Sequence, residues 1–254
     1  MVGFTLVELL VVIGIIALVI AMLMPALRKA RDQAMAVQCM SNLRQIGMGL
    51  TMYASANKNL IPQDIMYIFQ PPDFTDQDGV TWIDLLVGND LSNTGKDGDR
   101  LPYVVGRKVF VCPKMNPLNP GTYGMYHSQA YDPVLVDKKF PAYNPEFRGT
   151  RLSKVKRFSD FALVFDTSRS MAHDRDTGSG SWWTDRYANN PNVWMAHNER
   201  ANGLFADGHV EACDGGRLMS VSNYNWTQGG GKVSGIAVWK TTKFKIVINA
   251  LPGA

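Results

Sequence analysis

Residues 4–27 read FTLVELLVVIGIIALVIAMLMPAL. The run holds one charge, Glu8, and one proline, Pro25. From Phe4 to Met24 it offers 21 residues, mostly Leu, Ile, Val, Ala and Met. A helix needs ~20 apolar residues to cross the hydrocarbon core of a bilayer. A buried core helix of that length would normally show a polar face, and this stretch has none. A cleaved secretory signal has an apolar region of only ~7–15 residues and ends at a small-residue cleavage site. Here the run is longer and passes directly into a helical pattern. It predicts a transmembrane helix, and the rest of the fold is read outward from it.

Glu8 is the informative residue in that helix. A carboxylate within a membrane helix costs on the order of 2.5–3.5 kcal/mol on insertion scales, so it calls for a partner. No Lys or Arg lies within a helical turn of it. The expected partner is on another molecule, and a free amino group of a neighbouring subunit would serve. The alternative is a carboxyl group hydrated or protonated at the membrane edge.

Beyond the apolar run the pattern becomes amphipathic. Leu27, Ala30, Ala34, Val37, Met40, Leu43, Ile46, Leu50 and Tyr53 recur at spacings of three and four, which marks one helical face. Gly47 and Gly49 weaken the helix by up to about 1 kcal/mol each relative to Ala, and their small size suits close packing of a sheet. Asn57-Lys58-Asn59 and Pro62 end it. One helix of some fifty residues is expected, half in the membrane and half packed on a folded domain.

These residues carry a resemblance. Gly3-Phe4-Thr5-Leu6-Val7-Glu8 before a long apolar run resembles the processing motif of type IV prepilins and type II secretion pseudopilins. The resemblance implies cleavage by a prepilin peptidase between Gly3 and Phe4, and methylation of the new N-terminus at Phe4. It also implies pairing of Glu8 with the amine of a neighbouring subunit during assembly. Pro25 falls where such helices bend, and a proline there removes a backbone hydrogen bond in any case. The leader is only Met1-Val2-Gly3, without the Lys or Arg usual in the family. Arg28, Lys29 and Arg31 follow the apolar run, and loop charge alone would place that end in the cytoplasm. The motif implies the opposite, with the C-terminal domain periplasmic or extracellular and the chain held in the inner membrane. Implied partners are the prepilin peptidase, other pilin or pseudopilin subunits, the inner-membrane assembly machinery and the lipid bilayer.

Two further segments point to a narrower group. Cys39-Met40-Ser41-Asn42-Leu43-Arg44-Gln45-Ile46-Gly47 resembles the pilin-like proteins of Planctomycetes and Verrucomicrobia that end in an H-X9-DG motif. His197, followed after nine residues by Asp207-Gly208, meets that motif. In the resembled group, a cysteine early in the helix and one before a proline recur together. That implies a disulfide between Cys39 and Cys112, with Cys213 left over. On spacing alone, the three cysteines allow three pairings, and they exclude a CxxC metal or redox motif.

Local readings fill in the remainder. Trp82–Val87 predicts a short helix. Val109–Pro113, Tyr123–Tyr126 and Phe161–Asp166 predict strands, the last of them buried. Asp207-Gly208 between Leu204-Phe205 and Val210 predicts a hairpin, with strands near 201–206 and 209–212. His197, Asp207 and His209 offer a formal metal or acid–base set, but turn and hydrogen-bonding roles explain them more simply. Residues 168–192 read as a long surface loop with Trp182 and Trp183. Residues 236–239 and 244–248 read as one or two strands after a glycine-rich loop. Two acidic clusters, Asp73/Asp76/Asp78 and Asp90/Asp97/Asp99, offer a calcium cradle, yet neither has the EF-hand pattern, and Asp-Gly pairs are first of all turns. No cofactor is expected.

Composition bounds the function. The chain has 254 residues, 46% of them hydrophobic and 19% charged, which fits a folded protein rather than a disordered one. Its net charge of +4 is spread along the chain, so no nucleic-acid partner is expected. GxSxG, HExxH and phosphate-loop signatures are missing, and no enzyme activity is expected. The expected organisation is a leader at 1–3, a transmembrane segment at 4–27, the amphipathic half of the same helix at 28–58 and a soluble domain at 59–254. The class is α+β, a long helix packed on an antiparallel sheet with long loops. The expected function is that of a membrane-anchored subunit of a pilus or secretion pseudopilus. The alternative is a membrane-tethered module for a surface polymer such as polysaccharide, with Trp182, Trp183 and Trp194 as its binding face.

Overall fold

In the computed structural model one helix, α1, runs unbroken from Leu6 to Ala56. The structure describes residues 5–62, 65–66, 80–87, 102–114, 123–127, 136–137, 149–167, 181–183, 193–228, 235–241 and 244–249. Gly3, Phe4 and both acidic clusters lie outside these residues. At 1.5 Å per residue α1 is about 77 Å long. Thr5 caps its start: the backbone N–H of Glu8 donates to Thr5 Oγ1 at 3.3 Å, and the Thr5 N–H donates to Glu8 Oε2 at 2.9 Å. Pro25, where the sequence predicts a bend, lies inside α1 without ending it. The helix stops where Lys58 and Asn59 take φ of 55° and 59°, a left-handed pair that turns the chain back. The Asn59 N–H and the Asn57 side chain then satisfy the last-turn carbonyls of Ala54 and Tyr53.

The two halves of α1 meet different surroundings. Large apolar side chains from Leu6 to Leu27 stand exposed, Ile13 at 56% and Leu18 at 58%. Among the described residues this is the one helix long and apolar enough to cross a membrane. The other half buries Cys39, Asn42, Leu43, Ile46, Gly47, Gly49, Leu50, Tyr53 and Ala54. The predicted stripe is thus right from Met40, partly buried against the core, through Leu43, Ile46 and Leu50 to Tyr53, and its earlier members Leu27 and Val37 do not pack. Leu27 and Val37 are 67% and 65% exposed, because the apolar core meets the helix only from about Cys39 onward, although Lys114 reaches back to pair with Asp32 at 3.5 Å.

Among the described residues thirteen strands follow, β1 (Leu60–Pro62), β2 (Ile65–Met66), β3 (Val80–Thr81), β4 (Tyr123–His127), β5 (Val136–Asp137), β6 (Gly149–Arg151), β7 (Ala162–Asp166), β8 (Ser181–Trp183), β9 (Val193–Trp194), β10 (Ala201–Phe205), β11 (Val210–Cys213), β12 (Gly235–Thr241) and β13 (Phe244–Asn249). The same residues hold two shorter α-helices, α2 (Trp82–Val87) and α3 (Gly215–Gln228). The central sheet has the order β11-β10-β7-β4-β8. Its pairs are antiparallel except β4 with β8. A second sheet has the order β1-β6-β5, and a third β13-β12-β9 with β9 parallel to β12. The architecture is α+β, a long helix laid on largely antiparallel sheets.

The core forms where α1 crosses β10. Gly47 allows the approach: a Cβ there would lie 2.8 Å from Leu204 Cδ1. Gly203 does the same within the sheet, where a Cβ would fall on the Phe165 ring. Phe110, Phe161, Phe165, Phe205, Trp82 and Tyr123 are fully buried. Trp82 meets Phe110 edge-on at 5.4 Å, and Phe165 meets Phe205 edge-on at 6.4 Å, the offset arrangement aromatic rings prefer.

Three local expectations need correction, the first being the surface loop read over 168–192, within which Ser181–Trp183 forms β8 beside β4. Val109–Pro113 is not a strand; Arg107–Phe110 is a 3-10 turn that follows Gly106 at φ +83°. The Val111 N–H is used in a turn bond to the Lys108 carbonyl, and Pro113 has no N–H to offer a ladder. The sequence also signals no element at Gly215–Gln228, where α3 forms. Two glycines open it, poor helix formers by propensity, but Asp214 caps it by accepting from the Arg217 N–H at 2.9 Å.

Candidate functional site

Four side chains distant in sequence converge beneath the buried half of α1. Cys39 comes from the helix itself. Cys112 follows the 3-10 turn, Asp166 ends β7, and His197 precedes β10. All four are buried, and their donor atoms lie within 4.8 Å of one another. Cys39 Sγ donates to Asp166 Oδ1 at 2.9 Å. Cys112 Sγ lies 3.4 Å from His197 Nε2, and His197 Nε2 lies 3.9 Å from Asp166 Oδ2.

The backbone sets these positions. His197 opens a two-residue reversal, with its N–H and carbonyl paired to those of Arg200 at 3.0 Å. Asn198 and Glu199 between them have φ of 51° and 59°, the left-handed pair of a tight hairpin turn. That turn directs His197 inward and starts β10. On Asp166, the Asn202 N–H donates to Oδ2 at 2.7 Å. The Tyr123 hydroxyl, from β4, donates to Cys39 Sγ at 3.0 Å. His197 Nδ1 and both side-chain polar atoms of Asn202 are buried with no partner among the described residues.

Burial controls the charges. It pushes the Asp166 carboxyl up to about 7, against the lowering effect of hydrogen bonds from Cys39 and Asn202. It pushes the Cys39 thiol well up, helped by the neighbouring Cys112 and by the Asp166 charge. Tyr123 is raised for the same first reason, and then by Cys39. His197 is driven down to about 4 by burial, and then by the nearby Lys114 charge. The His197–Asp166 contact is therefore not an ion pair near neutral pH, although its distance alone would admit one.

Several expectations meet this geometry. Cys39 and Cys112, which the resemblance pairs in a disulfide, do come together, and in this structure they are thiols not joined to each other. Cys213 is also a free, buried thiol, on β11. The formal set of His197, Asp207 and His209 is not one site. His197 belongs to the buried cluster, whereas Asp207, exposed, and His209, half-buried, sit at the far end of β10. There His209 Nδ1 lies 2.5 Å from Asp207 Oδ1, and the His209 ring stacks on Phe205 at 4.4 Å. The hairpin is present, but only Gly208 takes positive φ, +88°. The Gly208 N–H donates to Phe205 O, and the Phe205 N–H to His209 O, a three-residue loop with a bulge at glycine. The nine-residue spacing from His197 to Asp207 thus spans one tight turn, a five-residue strand and the next turn.

The sequence names each cluster residue except Asp166 as a candidate, yet it brings none of the four together as a donor set. Asp166 reads there only as the polar end of a buried strand. A carboxylate closing a fully apolar run was the available signal, since a buried acid requires partners. Trp194, proposed for an exposed binding face, is buried in β9.

A family model described as "Protein of unknown function (DUF1559)" matches residues 28–87. That segment holds the amphipathic half of α1, with Cys39, and ends at α2. No curated protein matches the chain, and no solved structure does.

Proposed function

We propose that the chain is a membrane-anchored, pilin-like subunit that assembles with other pilin or pseudopilin subunits. The observation that carries this reading is the division of α1. Its first half exposes apolar side chains on all sides, and its second half is built into the folded domain without a break. A lone signal segment would not be continuous with a core helix. In this reading a prepilin peptidase cleaves between Gly3 and Phe4, and Phe4 becomes the methylated terminus. Residues 4–27 lie in the cytoplasmic membrane, and the domain from 59 onward faces the periplasm or the exterior. The assembly machinery and the bilayer are its partners, and no residue is given a catalytic role. The tethered-module alternative is weaker, because Trp194 is buried.

The test is the N-terminus of the full chain, expressed with and without a prepilin peptidase and measured by mass spectrometry. A terminal, methylated Phe4 that appears only with the peptidase supports the reading. An intact Met1 under active peptidase, with a longer natural start excluded, overturns it.

A further inference from the structure

We propose that Cys39, Cys112, Asp166 and His197 form a structural metal site of the zinc class, which clamps the anchor helix to the central sheet. Two sulfurs, an imidazole nitrogen and a carboxylate oxygen are a borderline-soft donor set, suited to Zn²⁺ or Co²⁺ and ill-suited to calcium or magnesium. Metal–ligand bonds of ~2.0–2.3 Å place tetrahedral ligands about 3.3–3.8 Å apart. The observed 2.9, 3.4 and 3.9 Å separations bracket that range. A disulfide would instead need the two sulfurs at about 2.05 Å.

Hydrogen bonding among these residues leaves the cluster incomplete. His197 Nε2 meets the Cys112 thiol at 3.4 Å and lies 3.9 Å from Asp166 Oδ2, while His197 Nδ1 has no partner among the described residues. The outer contacts are those a coordinated metal uses. The Tyr123 hydroxyl donates to Cys39 Sγ, and the Asn202 N–H holds Asp166 Oδ2. Such outer partners orient ligands and stabilise their charged forms. Four protein ligands and full burial leave no position for a substrate, so the site is structural rather than catalytic. On binding, both thiols and the Asp166 carboxyl bind as anions and release any protons they carry to solvent; the divalent ion offsets two of the three negative charges, and the Tyr123 hydroxyl and the Asn202 N–H face the anionic ligands. The four ligands come from α1, the segment after the 3-10 turn, β7 and the turn before β10, so the ion would cross-link the anchor helix to two neighbouring strands of the central sheet and to the Cys112 segment.

The test uses the full chain in detergent under reducing conditions. Metal content is measured on the protein as purified, and Co²⁺ is then titrated into chelator-treated protein. One equivalent of Zn²⁺, and a Co²⁺ complex with thiolate charge-transfer absorption and tetrahedral visible bands, are expected. Cys112→Ser and His197→Gln should lose these bands, and Cys213→Ser should keep them. Tyr123→Phe, which preserves the ring packing, should bind Co²⁺ about 10–100-fold more weakly. Absence of thiolate bands in wild-type protein with its thiols verified free overturns the proposal, whatever the variants do. So does a metal-free, natively exported chain whose mass shows a Cys39–Cys112 disulfide.

Discussion

The thiol of Cys39, on the buried half of α1, donates to the carboxyl of Asp166 at the end of β7 over 2.9 Å. Helix and central sheet therefore meet through a polar contact inside an otherwise apolar core. Burial holds the thiol protonated across the middle of the pH range, and it keeps the acid protonated until the pH approaches 7. Cys112 and His197 complete the polar surroundings, Tyr123 faces Cys39, and Lys114 and Asp32 act on His197 from outside.

These shifts predict an unusual pH profile for the chelator-treated chain. Asp166 is raised from 3.8 to about 7 on folding. Its contribution to stability is full below 3.8 and is lost as pH rises through 7. His197 is lowered from 6.5 to about 4, so its contribution has the opposite slope and falls away as pH drops from 6.5 toward 4. Between about pH 4 and 6.5 the two slopes, each at most ~1.4 kcal/mol per unit, nearly cancel. Wild-type melting temperature should be almost flat across that window. Asp166→Asn removes one slope, so its melting temperature should climb with pH by about 2–4 °C per unit. A variant profile as flat as wild type would contradict the assignment of His197 as buried and neutral.

Two glycines separate close approach from helix propensity. Ala at Gly203 would drive its Cβ into the Phe165 ring, which is fully buried and wedged against Phe205. A loss of about 1–3 kcal/mol is expected from such overpacking. Ala at Gly47 meets only a methyl group of Leu204, at 2.8 Å, and gains up to about 1 kcal/mol of helix propensity. Thermal melts should rank Gly203→Ala well below Gly47→Ala, and the reverse order would mean that α1 and β10 pack more rigidly than the strands do.

Arg217 fastens α3 to the sheet. Its Nε donates to Glu211 Oε1 at 2.6 Å, Nη1 to Asp160 Oδ1 at 2.9 Å and Nη2 to the Ser159 carbonyl at 3.0 Å. The guanidinium also lies 5.1 Å over the Phe205 ring. A lysine keeps the charge but not the fork. Arg217→Lys should therefore lose most of what Arg217→Ala loses, about 1 kcal/mol after allowance for its partial exposure. Full rescue by lysine would show that charge alone matters there.

Much of this arrangement was legible from local pattern. An apolar run with no polar face, a period of three to four from Leu43 to Tyr53 and Asp-Gly between apolar residues each report their own geometry. Helix α1, its end at Asn57–Asn59, strand β7 and the β10–β11 hairpin follow from them. The failures share a different cause. Val109–Phe110 is apolar enough for a strand, but Gly106 and Pro113 on either side decide its turn. Helix α3 depends on one cap and on packing of Leu218, Met219 and Val221, which outweighs two unfavourable glycines. The cluster could not be read at all as a unit. Its members lie up to 158 positions apart (Cys39 to His197), and only the crossing of α1 over the sheet brings them together.

The last prediction concerns Glu8, which has two roles to separate. Its carboxylate accepts from the Thr5 N–H at 2.9 Å and from the Thr5 hydroxyl at 2.7 Å, while its own N–H donates back to Thr5 Oγ1. This is a capping box, and it satisfies the acid within one chain, a partner the sequence does not suggest. The proposed assembly role needs the negative charge, to meet the amine of a neighbouring subunit. Glutamine at this position keeps the reciprocal cap but removes the charge. Thr5→Ala removes the hydroxyl, at a cost of about 1 kcal/mol to the helix start, and keeps the charge. Glu8→Gln should insert into the membrane normally and fail to form intersubunit crosslinks or filaments, whereas Thr5→Ala should still assemble. If the glutamine variant assembles and the alanine variant does not, Glu8 serves the cap alone, and the contact between subunits must lie elsewhere on α1.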